Sequence, residues 1–302
     1  MDKRGNTLIA NELTGKILKG IGGFYYVSTV KGVIECHARG NFRKKDLSPI
    51  VGDSITLTLA PDGTGSIVKI HPRKNFLIRP EVANIDMLVL VCAMRSPLPD
   101  FGLIDKLLVT AESKNIEGVI CLNKTDLSEE DEIAAVSDIY KKAGYRVIVA
   151  SAKTGEGTQA LQSIIKGNTV AFAGLSGVGK SSLLKRVTGV DLKTGSVSKI
   201  ERGKHTTRHV ELIEAAGGLV FDTPGFSRLE ADDLYASDLW QYFPEIAQFQ
   251  GECRFRTCNH ISEPGCAVKD AVESGSIAQT RYDNYVLLFN KLKDIKDWQR
   301  KD

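Results

Sequence analysis

The eight residues Gly174-Leu175-Ser176-Gly177-Val178-Gly179-Lys180-Ser181, with Ser182 behind them, constrain this chain more than any other feature. They follow the apolar run Thr169–Ala173 and lead into Lys180–Val187, which has helical spacing. A buried strand that turns through glycines straight into a helix points its backbone N–H groups at one spot. Gly174, Gly177 and Gly179 let that turn close without a clashing side chain. The helix that follows directs its positive end at the same place. In this setting G-x-x-x-x-G-K-[ST] reads as a phosphate-binding loop. Lys180 is expected to reach the β- and γ-phosphates, and the Ser181 hydroxyl to bind Mg²⁺. The backbone from Gly174 through Ser182 forms the rest of the cradle.

A second motif names the base. Asn123-Lys124-Thr125-Asp126 follows the apolar strand Gly118–Leu122. A carboxylate at Asp126 accepts hydrogen bonds from the N1–H and 2-amino group of guanine, and adenine offers neither donor. Lys124 lays its stem over the base plane, and Asn123 ties this loop to the phosphate loop. Ser151-Ala152-Lys153 follows the next strand, Arg146–Ala150, and supplies the Ala152 N–H for guanine O6. The pair of motifs, each at the end of a strand, points to GTP.

The order of these motifs is inverted. GTPases ordinarily run phosphate loop, switches, base motifs; here the base motifs come first. Strands can keep their places in a sheet while the chain ends move, so the reading is a circularly permuted P-loop GTPase domain. Its rhythm is that of a mostly parallel sheet covered on both faces. The strands are Ile85–Ala93, Gly118–Leu122, Arg146–Ala150, Thr169–Ala173, Val210–Ala215 and Gly218–Phe221. The helices are Ile104–Lys114, Glu129–Gly144, Thr158–Ile165 and Lys180–Val187.

Two stretches read as switches. Asp222-Thr223-Pro224-Gly225 matches D-x-x-G: Asp222 supports Mg²⁺ and the Gly225 N–H contacts the γ-phosphate. Phe226 stands where many GTPases place a water-orienting glutamine, and it has no group for that task. The polar, glycine-bearing stretch 189–208 is the first switch. Thr206 and Thr207 are both available to close on Mg²⁺, with Thr207 preferred. His205 beside them is a candidate to orient the attacking water; a plain surface residue or a partner contact is the alternative.

At 302 residues, the chain is long enough for two or three domains. Residues 1–75 carry twelve basic and six acidic side chains, a net of +6, and read as short strands between turns. They suggest a small β-barrel of OB-fold size, although the pattern does not separate that from an SH3-like barrel. A basic barrel is a pointer to nucleic acid, with Phe24, Tyr25 and Tyr26 either stacking on bases or filling the barrel. Residues 231–302 have a net of −3, from nine basic and twelve acidic side chains. They hold Cys253-x4-Cys258-x-His260-x5-Cys266, three thiolates and one imidazole with nothing left over, as a closed structural Zn²⁺ site requires. After it, Tyr282, Tyr285, Leu288, Leu292, Ile295 and Trp298 form a helical stripe that reads as packing. Cys92 and Cys121 lie in apolar strands and read as buried thiols. No apolar run is long enough to span a membrane, and a signal-peptide core is missing from the first residues, so a cytoplasmic location is expected.

Taken together, these motifs resemble the RsgA (YjeQ) ribosome-associated GTPases of bacteria over essentially the whole chain. The resemblance rests on N-K-T-D ahead of G-L-S-G-V-G-K-S-S, on G-K-H-T-T, on D-T-P-G-F and on the C-x4-C-x-H-x5-C cluster. It implies an OB-fold over 1–75, a permuted GTPase domain over 76–230 and a mainly helical zinc-binding domain over 231–302. It further implies a monomer that binds the small (30S) ribosomal subunit and its 16S rRNA, acts late in that subunit's maturation, and hydrolyses GTP faster when bound. The family's catalytic histidine would fall on His205. The family's G-R-H-T-T-T reads Gly203-Lys204-His205-Thr206-Thr207-Arg208 here, so its third threonine is lost. The permutation also places the second switch directly against the zinc module, which suggests that the module senses the nucleotide state. The alternative readings are a non-enzymatic RNA-binding module switched by GTP and GDP, and a permuted GTPase of the large subunit.

Overall fold

A computed structural model describes residues 12–38, 42, 48–189, 210–221, 226, 229 and 231–296. The chain begins with β1 (Glu12–Ile21), β2 (Phe24–Thr29), β3 (Gly32–Ala38), β4 (Ser54–Leu59) and β5 (Gly65–Ile70). These close into a barrel in the order β1-β2-β3-β5-β4, antiparallel except for β3 on β5. The five-stranded barrel is the expected OB-like architecture. Its core is Ile17, Val27, Ile34, Cys36, Ile55, Leu57 and Ile67, which alternate with outward residues as strands require. Gly15 is needed where β1 crosses β2: a Cβ there would lie 2.4 Å from the Ser28 carbonyl oxygen.

Of the three aromatics, Tyr25 packs against the barrel core, Phe24 is exposed and lies tilted at 54° against His37 with ring centroids 4.5 Å apart, and Tyr26 donates to Glu35 at 2.9 Å.

A short hairpin, β6 (Phe76–Ile78) and β7 (Glu81–Ala83), joins the barrel to the second domain. Then come β8 (Met87–Ala93), α1 (Phe101–Ser113), β9 (Glu117–Asn123), α2 (Glu130–Lys142), β10 (Arg146–Val149), α3 (Thr158–Ile165), β11 (Thr169–Ala173), α4 (Lys180–Thr188), β12 (Leu212–Ala215) and β13 (Gly218–Phe221). The sheet order is β10-β9-β8-β11-β13-β12, parallel except for the antiparallel edge strand β12. One buried cluster, including Leu88, Leu90, Leu107, Leu108 and Tyr140, fills one face. Another, including Val89, Val91, Phe172, Leu183 and Val187, fills the other. Strands covered on both faces explain the continuous apolar runs of the sequence.

The C-terminal part holds a 3-10 segment Ala236–Tyr242, α5 (Pro244–Ala247), α6 (Ala267–Glu273) and α7 (Gln279–Asp294) around a core of its own. Tyr285 and Leu292 of the expected stripe are buried, together with Arg281 and Phe289; Trp298 lies outside the described residues. Phe226 and Leu229 belong to the sheet domain's core, whereas Ala231 and Leu234 join the C-terminal core, which also includes Val109 of α1. Among the described residues, no helix is long and apolar enough to cross a membrane.

Candidate functional site

The site lies at the C-terminal ends of adjacent parallel strands, the edge where open α/β sheets bind ligands. β11 is wholly buried and runs into the glycine turn, whose backbone requires glycine at each predicted position. Gly174 has φ 138°, Gly177 82° and Gly179 91°. A Cβ on Gly174 would sit 2.2 Å from the Val91 carbonyl oxygen, and one on Gly179 would sit 2.5 Å from Asn123 Nδ2. Gly179 caps α4, so the first-turn N–H groups of Lys180, Ser181 and Ser182 face the turn's concavity. Val178 is buried beneath the loop, Leu175 is half-buried, and Ser176, Ser181 and Ser182 are exposed. Lys180 is half-buried and donates from Nζ to the carbonyls of Gly174 at 2.7 Å and Leu175 at 2.6 Å. Burial lowers its pKa from the ordinary lysine value.

Asn123, at the end of β9, is fully buried and joins the two halves of the site. Its Nδ2 donates to the Val178 carbonyl at 2.8 Å, and its Oδ1 accepts from the Ala152 N–H at 3.2 Å. Lys124 adopts φ 60° and donates from Nζ to the Ser96 carbonyl at 2.5 Å. Ser151 Oγ donates to Asp126 Oδ1 at 2.6 Å, and Lys153 Nζ lies 3.5 Å from the other carboxylate oxygen. The Ser151 hydrogen bond, helped by Lys153, holds the Asp126 pKa below the usual carboxylate value, so the acceptor stays ionised. The structure therefore brings the predicted base motifs and the phosphate loop together at one edge of the sheet, joined by hydrogen bonds.

Supporting residues escaped the sequence reading. Thr125 Oγ1, with one proton to donate, lies 3.0 Å from the Ala150 carbonyl and 2.9 Å from Glu156, bracing the two base loops together. Arg186 of α4 donates to the Thr154 carbonyl at 3.2 Å and lies where a Cβ on Gly155 would point. Neither pairing has a local motif, and only the folded chain shows them. Phe226 is fully buried against Phe221, with ring centroids 5.4 Å apart, so it anchors the core and does not face a substrate. His205, Thr206, Thr207, Asp222 and Gly225 lie outside the described residues.

The second cluster is in the C-terminal part. Sγ of Cys253, Cys258 and Cys266 and a nitrogen of His260 all lie within 4.8 Å of one another. Cys253 Sγ is 3.9 Å from Cys266 Sγ, and His260 Nδ1 is 3.5 Å from Cys253 and 3.4 Å from Cys266. Tetrahedral zinc bonded to sulfur and nitrogen at its usual lengths has edges of about 3.8 Å between sulfurs and about 3.5 Å from sulfur to nitrogen. The donor set and its spacing fit a metal such as zinc. Burial lowers the His260 pKa and favours the neutral, ligating ring. The loop is braced from outside: Tyr282 and Tyr285 donate to the carbonyls of His260 and Asn259 at 2.8 and 2.7 Å. Glu263 accepts from the N–H groups of Asn259, Ile261 and Ser262.

Comparison with known proteins agrees with this geometry. The RsgA GTPase family matches residues 70–232, and the RsgA N-terminal domain matches residues 14–67. A small ribosomal subunit biogenesis GTPase RsgA of Clostridium beijerinckii is 47% identical over 277 residues, covering 91% of this chain and 95% of that protein. The protein of the same name from Caldanaerobacter subterraneus is 46% identical over 285 residues, with coverages of 93% and 96%. Among solved structures, YjeQ from Thermotoga maritima aligns with a TM-score of 0.83 at 38% identity, covering 94% of this chain and all of that one. YloQ, described as a circularly permuted GTPase, aligns with a TM-score of 0.82 at 39% identity, covering 96% and 98%.

Proposed function

The chain belongs to the RsgA GTPase family, and from that premise we propose that it hydrolyses GTP on the small (30S) ribosomal subunit late in that subunit's maturation, with the subunit accelerating hydrolysis. The observation that carries this reading is Asn123, which bonds the phosphate loop through Val178 and the guanine-reading loop through Ala152. One side chain thereby fixes the distance between the two ends of a guanine nucleotide.

The roles follow from the chemistry of each residue. Asp126 selects guanine, Lys124 covers the base, and the Ala152 N–H, which donates to Asn123 in this structure, turns to O6 when the base binds within the loop formed with Ser151 and Lys153. The backbone from Gly174 to Ser182, with Lys180, holds the phosphates. Ser181 and Thr207, with Thr206 as the alternative to Thr207, would hold Mg²⁺, which would supply positive charge to the phosphates when GTP is bound. Asp222 and Gly225 complete the γ-phosphate end. His205 orients the attacking water, a task that buried Phe226 does not perform. Zn²⁺ held by Cys253, Cys258, His260 and Cys266 is structural, because four protein ligands leave no open position.

The domains divide as 1–75, 76–230 and 231–302. The basic barrel meets the phosphate backbone of 16S rRNA, with exposed Phe24 as a stacking group. The protein acts as a monomer in the cytoplasm.

Sedimentation with separated ribosomal subunits tests the reading. The protein is expected to pellet with small subunits in the presence of a non-hydrolysable GTP analogue and less with GDP. Pelleting with large subunits alone contradicts it.

A further inference from the structure

Strand β1 serves two domains at once. Its register against β2 shifts between Ile17 and Lys19. Ile17 packs in the barrel core, and the next residue, Leu18, packs in the core of the sheet domain, in the cluster that includes Leu212 of β12. An irregularity of this kind re-aims a side chain and sharpens the local twist. Lys19 then forms an antiparallel bridge with Glu211, and its ammonium lies 3.6 Å from that carboxylate. From β2, Ser28 Oγ donates to Glu214 Oε1 at 2.7 Å. Lys16 Nζ donates to Thr169 Oγ1 at 2.7 Å, on the first residue of the strand that leads into the phosphate loop.

The β1–β2 ribbon is thus fastened to the edge of the nucleotide-binding sheet. β12 has β13 as its only full strand neighbour among the described residues, so the ribbon braces its outer side. Chain order makes this contact consequential: Glu211 directly precedes β12, and the segment just before it carries Thr206 and Thr207. Two residues beyond Lys19 the ribbon turns through Gly22-Gly23 between exposed Ile21 and Phe24, with open space around both glycines. The ribbon therefore has an exposed tip close beside its contact with the segment that follows the first-switch sequence.

We propose that Leu18, Lys19 and Ser28 are positioning residues for the stimulation of hydrolysis by the subunit and not for basal hydrolysis, holding β12 so that contact of the barrel with the small subunit is transmitted to the switch side of the nucleotide site. The inference rests on the reading above, in which the small subunit accelerates hydrolysis. The Lys19–Glu211 pair is part-exposed, with side chains 28% and 44% accessible, so severing it costs the fold little.

The double variant Lys19→Cys/Glu211→Cys tests this. Antiparallel partners lie within disulfide reach. The reduced form severs the pair and the oxidised form restores a link, with the same charges in both. Hydrolysis is measured with and without purified small subunits, binding by sedimentation, and unsubstituted protein treated with glutathione disulfide serves as the control. Basal hydrolysis and subunit binding are expected to be equal in the two forms. Stimulation by the subunit is expected to fall about tenfold in the reduced form, within the usual range of coupling between sites, and to return on oxidation. Equal stimulation in both forms overturns the proposal.

Ser28→Ala/Glu214→Ala gives a second measure without a cross-link: stimulation falls while Glu214→Gln, which keeps the acceptor, retains it. Undiminished stimulation in Ser28→Ala/Glu214→Ala also overturns the proposal. An unsubstituted protein that small subunits bind but do not accelerate overturns the proposed function itself, and the inference with it.

Discussion

Arg281 of α7 and Asp105 of α1 form an ion pair of 2.7 Å, each with a side chain only 1% exposed. The same guanidinium reaches Glu245 at 2.6 Å and lies 4.6 Å from the centroid of the Phe243 ring. Asn284 donates to the second oxygen of Asp105 at 2.6 Å. Burial alone would lower the arginine's pKa, but Asp105 and Glu245 hold it well above the ordinary value. α7 also braces the cysteine loop through Tyr282 and Tyr285. One helix therefore links the cysteine–histidine cluster to α1 of the GTPase domain.

Arg281→Met is expected to destabilise the protein by about 3–5 kcal/mol, because it leaves two carboxylates buried without their cation. Arg281→Lys should recover little of this, since an ammonium lacks the fork that reaches both acids. Urea unfolding followed by far-ultraviolet circular dichroism measures both.

Gly179→Ala should abolish nucleotide binding at a stability cost of only about 1–3 kcal/mol, the usual cost of one strained residue. The position has φ 91°, and the new methyl would strike Asn123 Nδ2, the atom that holds the Val178 carbonyl. Fluorescent GDP titration and a thermal melt separate the two effects.

Asp126→Asn should weaken GTP binding more than about a hundredfold and shift preference to xanthosine triphosphate, whose base presents a carbonyl where guanine has its amino group. Ser151→Ala removes the hydroxyl that keeps the Asp126 pKa low. A depressed carboxylate pKa favours the bound, ionised form above it and loses that benefit as pH falls through it. The affinity deficit of Ser151→Ala is therefore expected to grow as pH is lowered from about 7.5 toward the carboxylate range. A deficit independent of pH would count against this account.

Chelation should remove one metal ion per chain and loosen the C-terminal core while leaving GTP binding intact. Cys253→Ser and Cys258→Ser should mimic it, read by elemental analysis and by proteolysis of the region around α7. A long flexible insertion after Phe226 should leave basal hydrolysis unchanged and lower its stimulation by small subunits, because it breaks the short tie between the two cores.

The glycine loop and the two base motifs were legible in sequence because each is a run of consecutive residues and the loop's glycines have no substitutes. β11, α3 and β13 have the predicted bounds. β8 begins at Met87 and not Ile85, because the Ile85 N–H is taken by the Asn75 side chain at 2.9 Å. α1 begins earlier than its apolar spacing suggests, at Phe101, because Asp100 caps it by accepting from the Leu103 N–H.

β1 was not foreseen, since Lys16, Lys19 and three residues facing outward interrupt its alternation. The three-residue strands β6 and β7 are too short for a period to show. Arg281 falls four positions before Tyr285, on the buried side of α7, and a charged residue there was the available signal for a buried partner. Nothing in the sequence could name Asp105, 176 positions away, as that partner.

The most direct test is single-turnover GTP hydrolysis by the full-length protein with and without purified small ribosomal subunits. Acceleration by small subunits, no acceleration by large ones, and its loss in His205→Ala with GTP binding retained are the predicted results. Hydrolysis at the same rate with and without small subunits would contradict the account.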